Sequence, residues 1–416
     1  MLNRRTLIGS VIALTVTGAI ASSATAEELS ALFMSQAAYS EADVKAMTAE
    51  FESANPGTTV KLEFVPYDAL YDKIVASKAA GGAGYDVVLY DVIWPANFAE
   101  NGVLVDVTDK VAAMDKAAVF DGAWATTEYS GQYYGMPWIL DTKYLFANKD
   151  MLDKAGVTAM PKTWAEVMAA AQKVKDAGLV EYPLVFDWAQ AEAVICDYTA
   201  LVGAYQGAFL KDGAPAFNSG GGVEALQFMV DAMKSGLVNP NSTSYLEEDV
   251  RKVFSAGDAA MAVNWTYMYN LAQNNPDESK INGMVEIAPL PGVEGRAAAS
   301  AVNGSMGLGI TAGSAKPDLA WSYISFMTSQ AVQNSYAKNS LPIWKSSYSD
   351  PVVTTGQEAV VAAADTSIAI MTPRPMFPAY PELSSLLQKA IHKALAGEMS
   401  AQDALNEAAD AAAKIR

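Results

Sequence analysis

The fold class follows from residues 58–90, which are TTVKLEFVPYDALYDKIVASKAAGGAGYDVVLY. Thr58–Val65 alternates apolar and polar residues, as a strand with one buried face does. Tyr67–Ala79 predicts a helix, and Gly81–Gly84 predicts a flexible turn. Tyr85–Tyr90 is an apolar run of strand length. Strand, helix and strand at this spacing predict a doubly wound α/β domain.

The residues on either side continue the alternation. Leu29–Met34 predicts a strand, and Glu41–Ala54 predicts a helix that ends at the breaker Asn55-Pro56-Gly57. Trp94–Glu100 predicts a short helix after the strand Tyr85–Tyr90. Sheets of this type bind ligands outside the carboxyl ends of their strands. We therefore expect polar residues that directly follow these strands to lie at a binding site.

The rest of the chain is richer in helix and holds two further short strands. No repeat, low-complexity tract or long linker separates its parts, so we expect two packed halves. The predicted helices are Thr163–Ala177, with a threonine cap, then Ala191–Tyr205, Val223–Ser235, Pro317–Thr328, Glu382–Ala396 and Ala401–Lys414. The predicted strands are Ala260–Val263 and Gly307–Thr311.

The N-terminus has the three parts of an export signal. Met1–Arg5 carries two arginines, Thr6–Ala26 carries no charge, and Ala24-Thr25-Ala26 is a small-residue cleavage site. We expect cleavage after Ala26. No cysteine follows the apolar run, so a lipid anchor is not expected. Arg4-Arg5 also resembles part of a twin-arginine signal, which leaves Sec and Tat export open.

Charge and composition exclude several function classes. The formal net charge is −18, and removal of two arginines with the leader takes it to −20. A chain this acidic is expected to repel nucleic acid and anionic lipid. One cysteine, Cys196, excludes an internal disulfide. One histidine, His392, excludes the usual zinc sites and a histidine-dependent nucleophile, unless His392 itself serves. We expect no metal and no cofactor.

Several short motifs occur in order along the chain. Gly131–Pro137 is GQYYGMP, Leu145–Asp150 is LFANKD, Pro161–Glu166 is PKTWAE, and Phe254–Met261 is FSAGDAAM. They resemble the G-x-x-Y-G-x-P, Y-N-K-D, P-x-T-W-x-E and F-x-x-G-x-A-A-M segments of bacterial extracellular sugar-binding proteins that serve ABC importers. Ala147 departs from the tyrosine common in that family. The resemblance extends over nearly the whole chain after the leader.

The resemblance implies a two-lobed periplasmic-binding-protein fold of the type II kind. Each lobe would be a mixed sheet flanked by helices, with a ligand cleft between the lobes. Residues 27–139, joined by 307–343, would form the first lobe. Residues 140–306, joined by 344–416, would form the second, after a signal peptide of residues 1–26.

A sugar offers hydroxyl groups around its edge and apolar C–H faces, so its site needs aromatic rings with charged or amide groups. Some candidates follow predicted strands, and the resemblance places the others at the crossings between lobes or at the cleft. It implies an acidic contact at Asp141 and an aromatic platform at Trp265 or Tyr267. Asparagine favours helix caps, so Asn264 predicts the start of a helix. The candidates are Ser35, Gln36, Tyr90, Asp91, Trp94, Trp138, Asp141, Asp187, Trp188, Trp265, Tyr267, Gly304, Ser305 and Arg374.

The resemblance implies a periplasmic, monomeric solute-binding protein with a membrane permease as its partner and no enzymatic activity. The expected ligand is a neutral sugar, small oligosaccharide or polyol. Arg374 leaves room for an anionic sugar derivative. A polyamine, compatible solute or peptide is an alternative on the same fold. The enzyme alternative is a secreted glycoside hydrolase, because spacing in sequence cannot exclude a carboxylate pair.

Overall fold

The computed structural model describes residues 27–82 and 84–415. The expected leader, residues 1–26, lies outside the described residues, as does Ala83 in the expected Gly81–Gly84 turn. Among the described helices, none combines the length and apolar character that crossing a membrane requires.

The strands form two larger mixed sheets and three small hairpins. In chain order they are β1 (Glu27–Met34), β2 (Gln36–Ala37), β3 (Tyr39–Ser40), β4 (Thr58–Val65), β5 (Val87–Asp91), β6 (Glu128–Tyr129), β7 (Gln132–Tyr133), β8 (Met136–Ile139), β9 (Lys143–Asn148), β10 (Leu184–Val185), β11 (Leu210–Lys211), β12 (Ala214–Pro215), β13 (Met261–Trp265), β14 (Val285–Pro291), β15 (Ala299–Ser300) and β16 (Met306–Ile310).

The first sheet has the strand order β4-β1-β5-β16-β8. Strand β1 pairs in parallel with β4 and β5, and β16 pairs antiparallel with β5 and β8. The carboxyl ends of β1, β5 and β8 therefore meet the amino end of β16 at one edge of the sheet. Strand β16 comes from far along the chain, so the chain returns to this sheet after building the second one.

The second sheet has the strand order β10-β13-β9-β14-β15. Strand β13 is parallel to β10 and antiparallel to β9, and β14 is also antiparallel to β9. The carboxyl ends of β10, β13 and β14 therefore share an edge with the amino end of β9. Only residues 140–142 separate β8 of the first sheet from β9 of the second.

The helices cover both sheets. The α-helices are α1 (Glu41–Ala54), α2 (Tyr67–Ala79), α3 (Pro95–Glu100), α4 (Thr108–Ala112), α5 (Asp121–Trp124), α6 (Lys149–Lys154), α7 (Trp164–Asp176), α8 (Glu192–Ala204), α9 (Gly221–Lys234), α10 (Glu247–Ser255), α11 (Tyr267–Asn274), α12 (Pro317–Met327), α13 (Gln330–Ser335), α14 (Pro351–Thr354), α15 (Glu358–Ile368), α16 (Tyr380–Leu395) and α17 (Ala401–Ala412). Short 3₁₀ helices span Lys116–Ala118, Pro240–Ser244 and Lys345–Ser349.

The first sheet lies within one apolar core, and the second sheet contacts two. Residues of β1, β5 and β16 share one core with α1 and α12. On β9, Leu145 points into a core with α7, α8 and α16, whereas Tyr144 and Phe146 point into a core with α10 and α15. Successive residues of a strand face opposite sides, so helices cover the second sheet on both faces. The predicted α/β fold with two mixed sheets is confirmed.

Local sequence signals place most element ends correctly. Thr163 caps α7 in a capping box with Glu166, as the predicted threonine cap requires. The prediction that Asn264 caps a helix is wrong. Asn264 pairs with Tyr144 inside the sheet, and its side chain donates to the Glu247 carbonyl oxygen at 2.8 Å. These bonds hold the strand through Trp265, and α11 begins at Tyr267.

Candidate functional site

Polar residues gather where the two sheets meet edge to edge. At the first sheet, Asp91 ends β5, Asp141 follows β8 and Ser305 precedes β16. At the second, Lys143 begins β9 and pairs with Trp265 at the end of β13. Because residues 140–142 join these edges directly, the two sets of side chains face one region. This juxtaposition follows from the strand order alone.

Asp141 lies at the centre of this region. Its Oδ1 accepts the Thr266 hydroxyl at 2.5 Å and the Thr142 amide at 2.8 Å, and its carbonyl oxygen accepts the Gly304 amide at 3.0 Å. These contacts connect the end of β13, residues 140–142 between β8 and β9, and the segment before β16. Burial raises the pKa of the Asp141 carboxyl to about 7, although its hydrogen bonds act in the opposite direction.

Arg374 joins the two sheet edges through carboxylates. Its guanidinium donates to Asp91 Oδ1 at 2.8 Å and to Glu192 Oε1 at 2.8 Å, and more weakly to the Asn303 carbonyl oxygen at 3.3 Å. Asp91 ends a strand of the first sheet, and Glu192 begins α8, which packs on the second. All three charged side chains are at least 90% buried. This ion triad is a direct link between the two halves of the chain.

A second buried triad lies under the edge of the second sheet. Lys143 Nζ donates to Asp187 at 2.7 Å and to Asp197 at 2.6 Å, and all three side chains are buried. Asp197 also accepts the Trp188 indole N–H at 2.8 Å. Lys143 Nζ lies 5.3 Å from the centre of the Trp265 ring. Burial raises the pKa of Asp187, although the Lys143 charge acts against this shift.

The Trp265 ring is held at the surface of this region. Its indole N–H donates to Glu247 Oε1 at 3.3 Å, and the residue is only partly buried. The ring lies so close to Gly304 that a side-chain carbon at position 304 would overlap it. A partly exposed indole beside carboxylates can lie against the C–H face of a ligand and leave neighbouring polar groups for its edge.

Other candidates are buried in their own halves. Tyr267 is 3% exposed, and burial together with Glu248 raises the pKa of its phenol. Trp188 stacks on Phe186 with ring centres 4.4 Å apart. Tyr90 is fully buried, and Trp94 packs between Tyr67 and Tyr71. A ligand role for these side chains stays a prediction.

The remaining candidates lie at the edge of the first sheet. Ser35 and Gln36 follow β1 and are partly buried, and Gln36 donates to the Ala38 carbonyl oxygen at 3.3 Å. The Trp138 ring lies 4.8 Å from the ring of Tyr39 and 5.4 Å from that of Phe33. The Ser305 carbonyl oxygen accepts the Val92 amide at 3.1 Å. Their ligand contacts also stay predictions.

Several residues of the region were not predicted from the sequence. Lys143, Asp197 and Glu192 complete the two ion triads, and Tyr348 lies near both Asp141 and Tyr39. One sequence signal existed for the triad of Lys143, Asp187 and Asp197. Asp197 stands alone in the apolar run of α8, and Lys143 stands at the head of an apolar strand. Isolated opposite charges in buried elements indicate that they pair with each other.

The pH dependence of stability tests the state of Asp141. Its carboxyl pKa is raised from 3.8 to about 7, so its stabilising neutral form is fully present below pH 4 and is lost as pH rises through 7. Asp141→Asn cannot ionise. We expect the melting temperature of this variant, measured relative to that of the wild type, to rise between pH 5 and pH 8. Nearby Tyr144 and Tyr348 stay neutral over this range, because burial raises the pKa of both phenols.

Melting curves of both proteins at pH 5 and pH 8 measure this difference. Asp318→Asn is the control, because the Asp318 side chain is 94% exposed. Its difference from the wild type should not change with pH. A constant difference for Asp141→Asn as well would show that Asp141 keeps an ordinary pKa.

The described residues contain no group of histidine, cysteine and acidic side chains arranged to hold a metal ion. What the geometry defines is a region between two sheets, with ionised groups, a tryptophan face and a link between the halves. That combination is typical of a binding protein whose two lobes enclose a small polar solute.

Comparison with known proteins identifies the family. Residues 36–334 match the model of the bacterial extracellular solute-binding proteins, and the chain belongs to this family. A Deinococcus radiodurans protein described as a probable ABC transporter-binding protein is 30% identical over 307 residues, which are 70% of this chain and 71% of that protein. A Brucella abortus binding protein is 27% identical over 65% of each chain. The family is extracellular, so the protein is exported.

Solved structures share the fold over almost the whole chain. Maltose-bound MalE3 of T. maritima superposes with a TM-score of 0.85 at 30% identity, covering 93% of this chain and 99% of its own. A Thermotoga lettingae solute-binding protein with α-D-tagatose has a TM-score of 0.84 at 27% identity, covering 92% and 98%. An Agrobacterium radiobacter protein with ribitol has a TM-score of 0.82 at 25% identity, covering 94% and 99%.

Proposed function

We propose that the protein captures a sugar or polyol between its two sheets and delivers it to the membrane permease of an ABC importer. The observation that carries this proposal is the meeting of the two sheet edges at Asp141, with Trp265 beside it. The three structures named above hold maltose, tagatose and ribitol, which are neutral polyhydroxy compounds. Their similarity over nearly the full chain supports the same ligand class here.

Buried polar groups near Asp141 support a ligand rich in hydroxyls. Within the described residues, the hydroxyls of Tyr39, Ser305 and Tyr348 and the indole N–H of Trp138 are buried without a hydrogen-bond partner. Asp141 and Tyr39 are close enough to Tyr348 to add to the rise in its phenol pKa that burial causes. Buried polar groups are normally paired, and hydroxyl groups of a sugar can both donate and accept.

The proposed mechanism is closure of two lobes. Residues 27–139 with 307–343 form one lobe in this proposal, and residues 140–306 with 344–416 form the other. The solute binds to one lobe. The second lobe then closes over it by rotation about the segments that connect the two sheets, which include residues 140–142. The closed shape is then what the permease recognises. Apolar cores that lie mainly around one sheet or the other support two lobes, although Ala337 and Leu341 share a core with β9 and Tyr380 lies in the core of the first sheet.

The proposal also covers cleavage of the leader, the location of the mature protein and its oligomeric state. The leader is cleaved after Ala26, and the mass of the exported protein should correspond to a chain that starts at Glu27. The mature protein works in the periplasm as a monomer without a lipid anchor and binds no nucleic acid. It acts by binding alone, in keeping with a family of solute-binding proteins.

A thermal-shift screen tests the ligand class. The panel contains neutral sugars and polyols, with peptides, amines and compatible solutes as comparison. A ligand at a hundredfold excess over its Kd adds about 2.7 kcal/mol to the free energy of unfolding. We expect at least one sugar or polyol to raise the melting temperature by a few degrees. A shift by peptides or amines alone would contradict the proposal.

Gly304→Ala tests the position of the solute. The added methyl group overlaps the Trp265 ring, which has to move. We expect at least roughly a tenfold loss of affinity for the solute found in the screen, equivalent to about 1.4 kcal/mol, with little change in melting temperature. Gly122→Ala is the control, because its methyl group meets only Met371, at 3.9 Å. Unchanged affinity in Gly304→Ala would show that Trp265 does not contact the solute.

A further inference from the structure

We infer that the solute carries no acidic group, because each buried cation of the site is already held by two carboxylates. This inference rests on the proposed function and narrows its ligand class. It also assigns Arg374 the role of a counterion within the protein, where the sequence alone left open a role as receptor for an anionic sugar derivative.

The charge of Arg374 is already balanced by two carboxylates, although its buried Nε–H has no hydrogen-bond partner within the described residues. Two of its nitrogens donate to Asp91, Glu192 and the Asn303 carbonyl oxygen. The carboxylates need this charge, although other donors also reach them. Tyr67 donates to Asp91 at 3.0 Å, and Tyr380 donates to Glu192 at 2.5 Å. With one positive and two negative charges, the triad carries a net charge of −1 when its acids are ionised.

Lys143 is committed in the same way. Its ammonium group contacts both oxygens of Asp187 and one oxygen of Asp197, and it also donates to the Ala193 carbonyl oxygen at 3.4 Å. The side chain has no exposed surface. An ammonium group has three donors, and these contacts use them. When both acids are ionised, this triad also carries a net charge of −1.

Arg251 repeats the pattern beside Tyr267. It donates to Glu248 at 3.0 Å and to Glu278 at 3.2 Å. Lys143, Arg251 and Arg374 are the cations that are buried in residues 27–82 and 84–415. Three buried cations, each with two acids, leave no buried positive charge for a ligand. Asp141 adds a further carboxyl group without a cation.

An acidic solute would therefore bring a negative charge into a region that is already negative. Moving a carboxylate out of water is costly unless a cation or several donors replace its hydration. Like charges placed close together add to that cost. A neutral sugar or polyol meets neither cost, and its hydroxyls can donate to the carboxylates at the edge of the site.

Matched pairs of solutes test this inference. Glucitol and gluconate, glucose and glucuronate, and galactose and galacturonate differ by one acidic group within each pair. Affinity is measured by calorimetric titration at pH 7.5 for the pair whose neutral member gives the largest thermal shift. We expect the acid to bind at least roughly tenfold more weakly. Equal or tighter binding of the acid would overturn the inference while the proposed function stands. Failure of every neutral sugar and polyol in the thermal-shift screen would instead contradict the proposed function.

A gain of acid binding is the sharper test. The double variant Asp91→Asn, Glu192→Gln keeps oxygen acceptors for Arg374 and removes both negative charges. We expect the affinity ratio of acid to neutral solute to move at least tenfold toward the acid, on the order of 1.4 kcal/mol. Glu41→Gln with Asp150→Asn is the control, because it changes the net charge equally in exposed ion pairs.

The melting temperature and circular dichroism establish that the variants are folded. An unchanged ratio in the folded double variant would overturn the role of Arg374 as an internal counterion. If the double variant does not fold, Asp91→Asn alone replaces it, and the ratio should still shift toward the acid. No shift in the folded single variant would overturn the inference in the same way.

Discussion

Replacement of Lys143 by methionine is expected to lower the free energy of unfolding by about 3–5 kcal/mol, the usual cost of removing one partner from a buried ion pair. The loss is this large because Asp187 and Asp197 would remain buried without a cation. Lys143 lies within 2.7 Å of both and is fully buried. Chemical denaturation in urea, followed by circular dichroism, measures the change.

Lys149→Met is the matched control. Lys149 forms ion pairs with Asp153 and Glu286, but about half of its side chain is exposed. Exposed ion pairs contribute little to stability, so this variant should unfold close to the wild type. If Lys143→Met were no less stable than Lys149→Met, the triad of Lys143, Asp187 and Asp197 would have no structural importance.

Arg374→Met should cost a similar amount, again about 3–5 kcal/mol, and should respond to pH. Without the guanidinium, the buried carboxylates of Asp91 and Glu192 lose the cation that both contact. Burial already raises the pKa of Glu192 in the intact protein, although the Arg374 charge acts against it. Loss of that charge raises the pKa further. A raised carboxyl pKa stabilises the folded state at low pH and ceases to do so as pH rises.

The stability deficit of Arg374→Met should therefore be smaller at pH 5 than at pH 8. Unfolding of the variant and the wild type in urea at both pH values measures this deficit. Arg296→Met is the control. Arg296 pairs with Glu224, and the two side chains are 34% and 43% exposed. Its deficit should be small and nearly constant. A deficit of Arg374→Met that grows at pH 5 would contradict the account of this triad.

Local sequence patterns were sufficient for most of the fold. The periodicity of residues 41–54 and 67–79 places α1 and α2 with their observed bounds, and the alternation in 58–65 places β4. These signals are short-range, because caps, breakers and apolar spacing act within a few residues. At Asn264 these short-range signals give the wrong result. The residue favours a helix cap in isolation, but its pairing with Tyr144 holds it in the sheet.

The site could be predicted only in part. The ends of apolar runs indicate Asp91 and Asp187, and the family resemblance indicates Asp141, and all three lie near the facing ends of the two sheets. Their contact with a solute stays a prediction. The charged partners of these residues could not be predicted from the sequence. Arg374 lies 283 residues from Asp91, and Lys143 lies 54 residues from Asp197. Such pairs depend on how distant segments pack. The spacing of residues along the chain carries no information about that packing.

We expect this protein to bind a sugar or polyol between its sheets. Calorimetric titration of the solute with the largest thermal shift tests this expectation most directly, with wild type and Trp265→Ala compared. We predict saturable binding of one solute molecule per chain, and recovery of that solute chemically unchanged. Trp265→Ala should bind roughly tenfold more weakly or worse, about 1.4 kcal/mol or more, with nearly the same melting temperature. Absence of saturable binding, or conversion of the solute into a product, would contradict the account.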